Sequence, residues 1–407
     1  MALEIPRGDE AGAGKPVLRC GCVVIAIGAL AVPQRKGCGP GIRVGRRDPS
    51  WSGFYRMIAS VFRKCAHERP RFRYTIGMSL PPDPAPRPTR EAPRVLVVRR
   101  DNIGDLVCTL PVFEGIRHRY PNAHIGALVN SYNAPLLDGN PHIDRVHVYT
   151  KSKHRPDGGM RALVRDRLGL VAGLRKERYR TVLHAGSRPR SEMRALTRLA
   201  GISEQILDQG ANLPLHEVER VYGLLRTLDI PDPPPAPHLP LAPQAVMDAR
   251  ETLAARGYER AIGLHISARE DENRWPLDHF AALIREGAGR GHRFVVFWSP
   301  GEASRAEHPG DDARARELLD RCRDLPALGY PTRDLLSLAA GLSAVRVLVG
   351  SDGGHVHIAA AVGTPVVGLY CNHKVIQWRP WGAGHVVLHG KRVDAIPVDA
   401  VLERLWR

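Results

Sequence analysis

The chain has 407 residues, enough for two domains of ordinary size that each bury a core. With 43% hydrophobic and 25% charged residues, the composition excludes a fibrous or wholly disordered protein. The formal net charge is +17, and residues 1–90 hold 16 Lys+Arg against 6 Asp+Glu, so most of the excess lies there. A basic surface suits an anionic lipid, nucleotide or nucleic acid, although a merely solvated Arg-rich surface has the same composition.

Residues 1–90 are the least patterned part of the sequence. They lack sustained helix or strand periodicity and lead into the Pro-rich run Pro81–Pro93. We interpret them as an N-terminal extension that is disordered or precedes the true translation start, for which Met78 is the candidate. The apolar run Cys20–Pro33 is shorter than the roughly 20 residues of a membrane-spanning helix, and the cytosolic chemistry inferred below disfavours a signal peptide. The seven cysteines contain no CxxC pair, which favours a reducing compartment without a structural zinc.

From Arg94 onwards, β-branched runs alternate with amphipathic helical stretches. This alternation predicts a parallel sheet covered by helices on both faces. The predicted strands are 94–98, 124–129, 145–149 and 181–185, and the predicted helices are 109–121 and 158–178.

The stretch VRRDNIGDLVCTLP, residues 98–111, ends the first predicted strand in a Gly-Asp turn. We expect a helix to start near Leu106, which leaves Asp105 at the carboxyl end of a strand, where open α/β sheets bind ligands. An aspartate before a helix is also a common N-cap, and both readings remain open.

The segment Ile230–Pro243 carries seven prolines and no hydrophobic periodicity, which predicts a stiff interdomain linker. After it the alternation resumes, and two α/β halves joined by such a linker imply a cleft between them. The predicted strands are 261–267, 293–299, 345–351 and 365–370, and the predicted helices are 278–291, 315–322, a helix ending at Gly363, and the tail 398–407.

The loop GLHISAREDENRWP, residues 263–276, follows the first strand of the second half. Ser267 and the guanidinium groups of Arg269 and Arg274 are candidates for contacts with phosphate oxygens, since arginine suits bidentate contacts. A solvated charged loop is the alternative and is the preferred reading for residues 270–272.

The run VLVGSDGGHVHIAAAVGTPVVGLY, residues 347–370, delivers Asp352, Gly353 and Gly354 to the start of an Ala-rich helix with His357 in its first turn. Glycines there let backbone N–H groups approach a phosphate, and the helix dipole favours negative charge. A diphosphate is the natural ligand. A tight turn with Asp352 as a cap and His357 as a packed histidine explains the spacing equally well.

Several signatures are missing from the sequence. There is no GxxxxGK[ST] loop, no GxGxxG after the first strand, no GxSxG elbow and no metal-ligand spacing. Phosphate binding without a metal is the chemistry that remains.

Together these motifs make the chain from Arg94 to Arg407 resemble glycosyltransferase family 9, the heptosyltransferase-type enzymes of lipopolysaccharide core assembly. The similarity lies in RVLVVRRDNIGDLVCTLPVFEGIRHRYPNAHIGALV, in SDGGHVHIAAAVGTPVVGLY and in WRPWG at 378–382. The resemblance implies a GT-B architecture: a Rossmann-like acceptor domain at 94–230, a linker at 231–243 and a nucleotide-sugar domain at 244–407.

The resemblance also implies roles for single residues. Asp105 matches the catalytic base. The positions that match donor binding are Ser267, Asp352, Gly353, Gly354 and His357, with Glu302 as a candidate ribose contact.

Two departures affect the donor site. Asn273 stands where the family commonly has a lysine, so we expect Arg274 or Arg269 to supply the lost charge. Residues 371–373, Cys-Asn-His, replace the family's usual Gly-Pro-Thr-like turn.

The function implied by this resemblance is inverting, metal-independent transfer of a sugar, by default heptose from ADP-heptose, onto a lipopolysaccharide core or related glycolipid. No cofactor is expected, and the enzyme is expected in the cytoplasm, peripheral on the inner membrane. A GT-B-type nucleotide-sugar epimerase and a non-catalytic nucleotide-sugar or glycolipid-binding protein are the alternatives. Nucleic-acid binding is disfavoured because no recognised binding motif accompanies the charge.

Overall fold

A computed structural model describes most of the chain from residue 92. The described residues are 92–149, 160–186, 191–208, 214–302 and 310–406, together with the two short antiparallel strands Val17–Cys20 (β1) and Val23–Ala26 (β2). The rest of the predicted extension, including the start at Met78, lies outside the described residues. No helix in the described ranges is long and apolar enough to cross a membrane.

The first half contains a parallel sheet of five strands in the order β5-β4-β3-β6-β7. Its strands are β3 Arg94–Arg99, β4 His124–Asn130, β5 Arg145–Tyr149, β6 Thr181–His184 and β7 Glu204–Leu207. Its helices are α1 Ile103–Val107, α2 Leu110–Arg119, α3 Met160–Lys176, α4 Ser191–Leu199 and α5 Glu217–Tyr222. β3 is buried from Val95 to Val98, as expected for a central strand whose sheet is covered on both faces.

The second half contains a parallel sheet of six strands in the order β10-β9-β8-β11-β12-β13. Its strands are β8 Ile262–His265, β9 Phe294–Trp298, β10 Ala327–Pro331, β11 Val347–Ser351, β12 Val366–Cys371 and β13 Val386–Gly390. Its helices are α6 Pro243–Ala254, α7 Leu277–Ala288, α8 Asp312–Arg321, α9 Leu335–Ser343, α10 Gly354–Ala361, α11 Val375–Trp378 and α12 Val398–Leu405.

Both sheets have the Rossmann strand order, in which the first strand is central and the chain winds outward on each side. Ligands of such sheets bind beyond the carboxyl ends of the strands, where the winding direction reverses. In the first half that position lies between β3 and β6, and in the second half between β8 and β11. The prediction of two α/β halves with parallel sheets is confirmed.

The proline-rich segment between the halves is extended but attached. Leu239 is buried at 2% exposure, and its N–H donates to the carbonyl of Ala361 at the end of α10. The segment therefore packs along the second half. The domain boundaries at 94–230, 231–243 and 244–407 remain a prediction.

The two halves meet where α1 faces α10. A Cβ added at Gly104 would lie 2.7 Å from the ring of His357, and one added at Gly354 would lie 2.7 Å from the Cβ of Ile103. One apolar cluster continues across this contact, from Val97 in the first sheet to Tyr370 in the second. Two glycines thus allow the N-terminal turns of two helices to touch.

The Gly104 contact predicts an unusual response to alanine. In a helix, glycine to alanine normally gains about 1 kcal/mol, but overpacking a buried contact costs about 1–3 kcal/mol. We expect Gly104→Ala to lower the melting temperature of the wild type and to raise it in a His357→Ala background, where the ring is absent. Thermal unfolding of the four proteins in the cycle measures this coupling. An equal effect in both backgrounds would show that the contact does not limit the approach of the halves.

Candidate active site

The turn after β3 places Asp105 inside a helix. α1 begins at Ile103, so the predicted start near Leu106 is wrong by a turn. The helix begins earlier because Asn102 is its N-cap residue. The backbone N–H of Asn102 donates to the Asp105 carboxylate across 3.1 Å. The N-cap residue is therefore Asn102 and not Asp105, which is the third helical residue and accepts from the N-cap N–H in a capping box. The role of Asp105 as a base remains a prediction.

The carboxylate of Asp105 is paired with a buried arginine. Arg99, at the end of β3, is 1% exposed and donates to Asp105, to the Ala185 carbonyl and, across 2.5 Å, to the Glu217 carboxylate. The Asp105 side chain keeps 13% of its surface exposed. One guanidinium therefore fixes the position of a carboxylate that still reaches solvent.

Glu217 extends this charge network towards the second half. It is 1% exposed and accepts from Nε of Arg220 at 2.8 Å, while Arg220 also pairs with Asp208. The amide of Gln377 in α11 donates to Glu217 across 3.1 Å. Burial raises the pKa of Glu217, against the opposing effect of Arg99, and burial lowers the pKa of Arg220 to about 10. The network thus joins Asp105 to a residue that follows β12.

Asp352 and the two glycines lie where the sequence predicts them. Asp352 follows β11 directly, Gly353 is the cap of α10, and Gly354 is its first residue. The first N–H groups of a helix have no partner within the helix, so they are available to an anion. Asp352 is 17% exposed, and burial raises its pKa.

His357 is packed rather than open. It is 4% exposed, its ring lies against Gly104, and its Nδ1 is 3.7 Å from Sγ of Cys108. Burial lowers its pKa to about 4, so the ring is neutral at pH 7. Its ring also lies edge-on to Trp378 of the second half, with ring centroids 6.2 Å apart. Donor binding by His357 remains a prediction.

The cation beside Asp352 is Lys374, which the sequence analysis missed. Its ammonium lies 3.6 Å from Asp352, 3.4 Å from Oδ1 of Asn273 and 3.0 Å from Glu272, and it also pairs with Glu270. Burial lowers the pKa of Lys374, but the neighbouring carboxylates raise it by a larger amount, so the net shift is upward. The sequence feature that could have identified Lys374 is the altered turn at 371–373, which Lys374 directly follows.

The two predicted arginines point elsewhere. Arg274 pairs with Asp311 at 3.0 Å, and Arg269 donates to the side chain of Asn102 at 3.3 Å. Ser267 follows β8, and its hydroxyl accepts from the N–H of Ser299 at 3.2 Å. Glu302 is exposed in the segment after β9. These side chains share the carboxyl edge of the second sheet, but among the described residues the side chain of Asp352 contacts Asn273 and Lys374 rather than any of them.

Two Rossmann-like halves, with candidate residues at the carboxyl ends of their central strands, form an architecture of the GT-B type. The sequence model of glycosyltransferase family 9 (heptosyltransferase) matches residues 192–398, and the chain belongs to this family.

Several bacterial proteins are similar to this chain in sequence or in fold. Lipopolysaccharide heptosyltransferase 3 of Escherichia coli K12 is 25% identical over 317 residues, covering 74% of this chain and 89% of that protein. The glycosyl transferase family 9 structure from Veillonella parvula DSM 2008 superposes with a TM-score of 0.68 at 18% identity, covering 77% of this chain and 96% of that one. The structure of E. coli heptosyltransferase WaaC with ADP superposes with a TM-score of 0.62 at 19% identity, covering 77% of this chain and 99% of that one.

Removal of the Arg99 charge should be costly. Without it, Asp105 and Glu217 lose their shared counter-ion, and breaking a buried ion pair on one side costs about 3–5 kcal/mol. We expect Arg99→Met to lower the free energy of unfolding in urea by that amount. The control is Arg226→Met, which removes an arginine that is 71% exposed and paired with Asp232, and should cost less than about 1 kcal/mol. Similar losses in the two variants would contradict the structural importance of the buried network.

Proposed function

We propose that this glycosyltransferase moves a sugar from a nucleotide diphosphate donor to a hydroxyl group of a lipopolysaccharide core or related glycolipid, with inversion and without a metal ion. ADP-heptose is the starting assumption for the donor, supported by the heptosyltransferase names of its relatives. The observation that carries the proposal is the meeting of α1 and α10, which brings the helix of Asp105 to the helix that follows Asp352.

Asp105 acts as the general base in this proposal. Its carboxylate is held by Arg99 and by the N–H of Asn102, so little reorganisation is needed before it accepts the proton of the acceptor hydroxyl. The deprotonating hydroxyl oxygen attacks the anomeric carbon from the face opposite the diphosphate, and the bond to the leaving oxygen breaks. In-line displacement of this kind inverts the anomeric centre.

The charges around Asp352 divide the donor site into two parts. Glu270, Glu272 and Asp352 surround the single ammonium of Lys374, so this cluster is net negative. A diphosphate is therefore better placed at the first turn of α10, where the helix dipole and the N–H groups favour it. The carboxylates suit the hydroxyl groups of the sugar, from which they accept hydrogen bonds. Lys374 pairs with Asp352, just before α10, and stabilises the leaving diphosphate.

The acceptor is proposed to be a glycolipid with acidic groups at the cytoplasmic face of the membrane. The basic net charge supports this attraction, which weakens as salt screens it. The lipopolysaccharide enzymes among the relatives support the same acceptor class.

The first test is transfer from ADP-heptose to a deacylated lipopolysaccharide core in EDTA. Asp105→Asn should cut turnover by about 10²–10⁴-fold because the base is lost, while donor binding stays near that of the wild type. The matched control is Asp101→Asn, a nearby carboxylate that is 46% exposed and 3.4 Å from Arg99, and it should keep most of the activity.

Three results would count against the proposal. Loss of turnover on adding EDTA would contradict metal independence, and loss of donor affinity in Asp105→Asn would make that residue structural. Isomerised donor in the absence of acceptor would favour the epimerase.

The role of Lys374 is tested by donor binding. Loss of its charge removes about one charge-assisted contact, so Lys374→Gln should raise the dissociation constant for ADP-heptose about tenfold. Arg274→Gln should have a smaller effect because Arg274 is engaged with Asp311. The exposed Lys391, changed to Gln, controls for charge loss on the same half. A larger effect from Arg274 than from Lys374 would restore the prediction made from the sequence.

A further inference from the structure

A second group of charged side chains lies at the carboxyl edge of the first sheet. Arg100 follows β3, Tyr149 ends β5, and Arg167 projects from α3. Their common partner is Glu192, in the first turn of α4. None of these four residues belongs to the network around Arg99.

The other three side chains converge on the carboxylate of Glu192. The Tyr149 hydroxyl donates to Oε1 of Glu192 at 2.9 Å, Nε of Arg167 lies 3.4 Å from the same oxygen, and Nη1 of Arg100 lies 4.0 Å from the other oxygen. Both guanidinium groups lie close to the ring of Tyr149, with Cζ at 4.5 Å for Arg100 and 3.8 Å for Arg167. The aromatic ring thereby orients two cations towards one acidic group.

The contacts with Glu192 are weak for a permanent ion pair. Charge-assisted hydrogen bonds between arginine and carboxylate are typically about 2.7–2.9 Å long, and both arginine contacts here exceed that range. Glu192 is 48% exposed, whereas Arg100 and Arg167 are 12% and 16% exposed. The cations are therefore largely enclosed, and Glu192 is the member most accessible to solvent.

The surroundings add positive charge. The pKa of His184, at the end of β6, is lowered mainly by burial. The positive charges of Arg194, Arg100 and Arg198 lower it too. Nε of Arg194 is buried without a hydrogen-bond partner in the described part of the chain. Arginines of α4 therefore add positive charge near Glu192.

The position of the group relates it to the reaction. Arg100 adjoins Arg99, and the carbonyls of Arg100 and Asp101 accept from the side chain of Asn130 at the end of β4, at 3.3 and 2.8 Å. The loop that carries Arg100 is therefore the same loop that leads into α1 and Asp105. A ligand group held here would lie on the acceptor side of the base.

We propose that Arg100, Tyr149 and Arg167 form a subsite for an acidic group of the acceptor, a phosphate or a carboxylate, which displaces Glu192. The inference rests on the proposed function for the identity of the acceptor. The incoming anion accepts from the two guanidinium groups and from the Tyr149 hydroxyl, the same three donors that converge on Glu192. Glu192 is released into solvent, so its charge is an internal competitor for the subsite.

Because Glu192 competes with the acceptor, removing the Arg167 charge and removing the Glu192 charge should change the acceptor KM in opposite directions. A purely structural role would not produce opposite changes. Arg167→Gln removes a charged contact and should raise the KM for a phosphorylated, deacylated acceptor about tenfold or more, with kcat and the donor KM unchanged. Glu192→Gln removes the competitor and should lower the acceptor KM. Arg165→Gln, at an exposed position of the same helix, is the control for net charge and should match the wild type.

The decisive experiment measures equilibrium binding of the deacylated acceptor by calorimetry in the absence of donor, alongside these kinetics. Weaker binding in Arg167→Gln and tighter binding in Glu192→Gln support the subsite, even if the wild type transfers no heptose and the proposed function fails. Equal acceptor affinities in Arg167→Gln and Arg165→Gln, or weaker binding in both Arg167→Gln and Glu192→Gln, would overturn the subsite even if transfer proceeds.

A comparison with acceptor that has been treated with phosphatase identifies which acidic group binds at the subsite. If the difference between Arg167→Gln and the wild type disappears with that acceptor, the subsite takes a phosphate. If the difference persists, it takes a carboxylate. Both results support the subsite as proposed.

Discussion

Burial of the Arg99 guanidinium is the constraint on which the rest of the site depends. A charge that is only 1% exposed must be neutralised and hydrogen-bonded, and Arg99 achieves this with Asp105, Glu217 and a backbone carbonyl. These partners come from different elements of the first half, so the position of Asp105 depends on the packing of the whole edge. Through Glu217 and Gln377 the same requirement extends to the second half.

The contact between α1 and α10 completes this arrangement. Gly104 leaves room for the His357 ring, and Gly354 leaves room for Ile103, so each helix supplies both a glycine and a larger side chain. Gly354, which the sequence analysis assigned to phosphate binding, therefore also helps to determine how closely the halves approach. On the proposed function, the same few atoms bind the donor and align it with the base.

The central elements were predictable from sequence because their signals are local. All eight predicted strands are present, and seven of them are short apolar runs that are almost wholly buried. The eighth, β5, is an edge strand with Val148 47% exposed. The strands β7, β10 and β13 were missed: they lie at or beside the sheet edges, β10 ends in Pro331, and each is only partly buried. The partners of Arg99 and Asp352 were not predictable, because Glu217 and Lys374 approach them from 118 and 22 residues away through the fold. Arg274 was chosen for its charge alone, which cannot reveal that Asp311 engages it.

The distribution of charge suggests how the two substrates are kept apart. On the donor side, carboxylates surround one lysine, and the anion is left to the N–H groups of α10. On the acceptor side, two guanidinium groups share one exposed glutamate. A donor diphosphate is then opposed by the carboxylates unless it lies at the helix start, while the acidic acceptor is attracted to the arginines of the first half. Both substrates carry negative charge, so a single positive cleft would bind either of them in either half. On the proposed function, separate recognition by backbone dipoles in the second half and by arginine side chains in the first half gives each anion its own place.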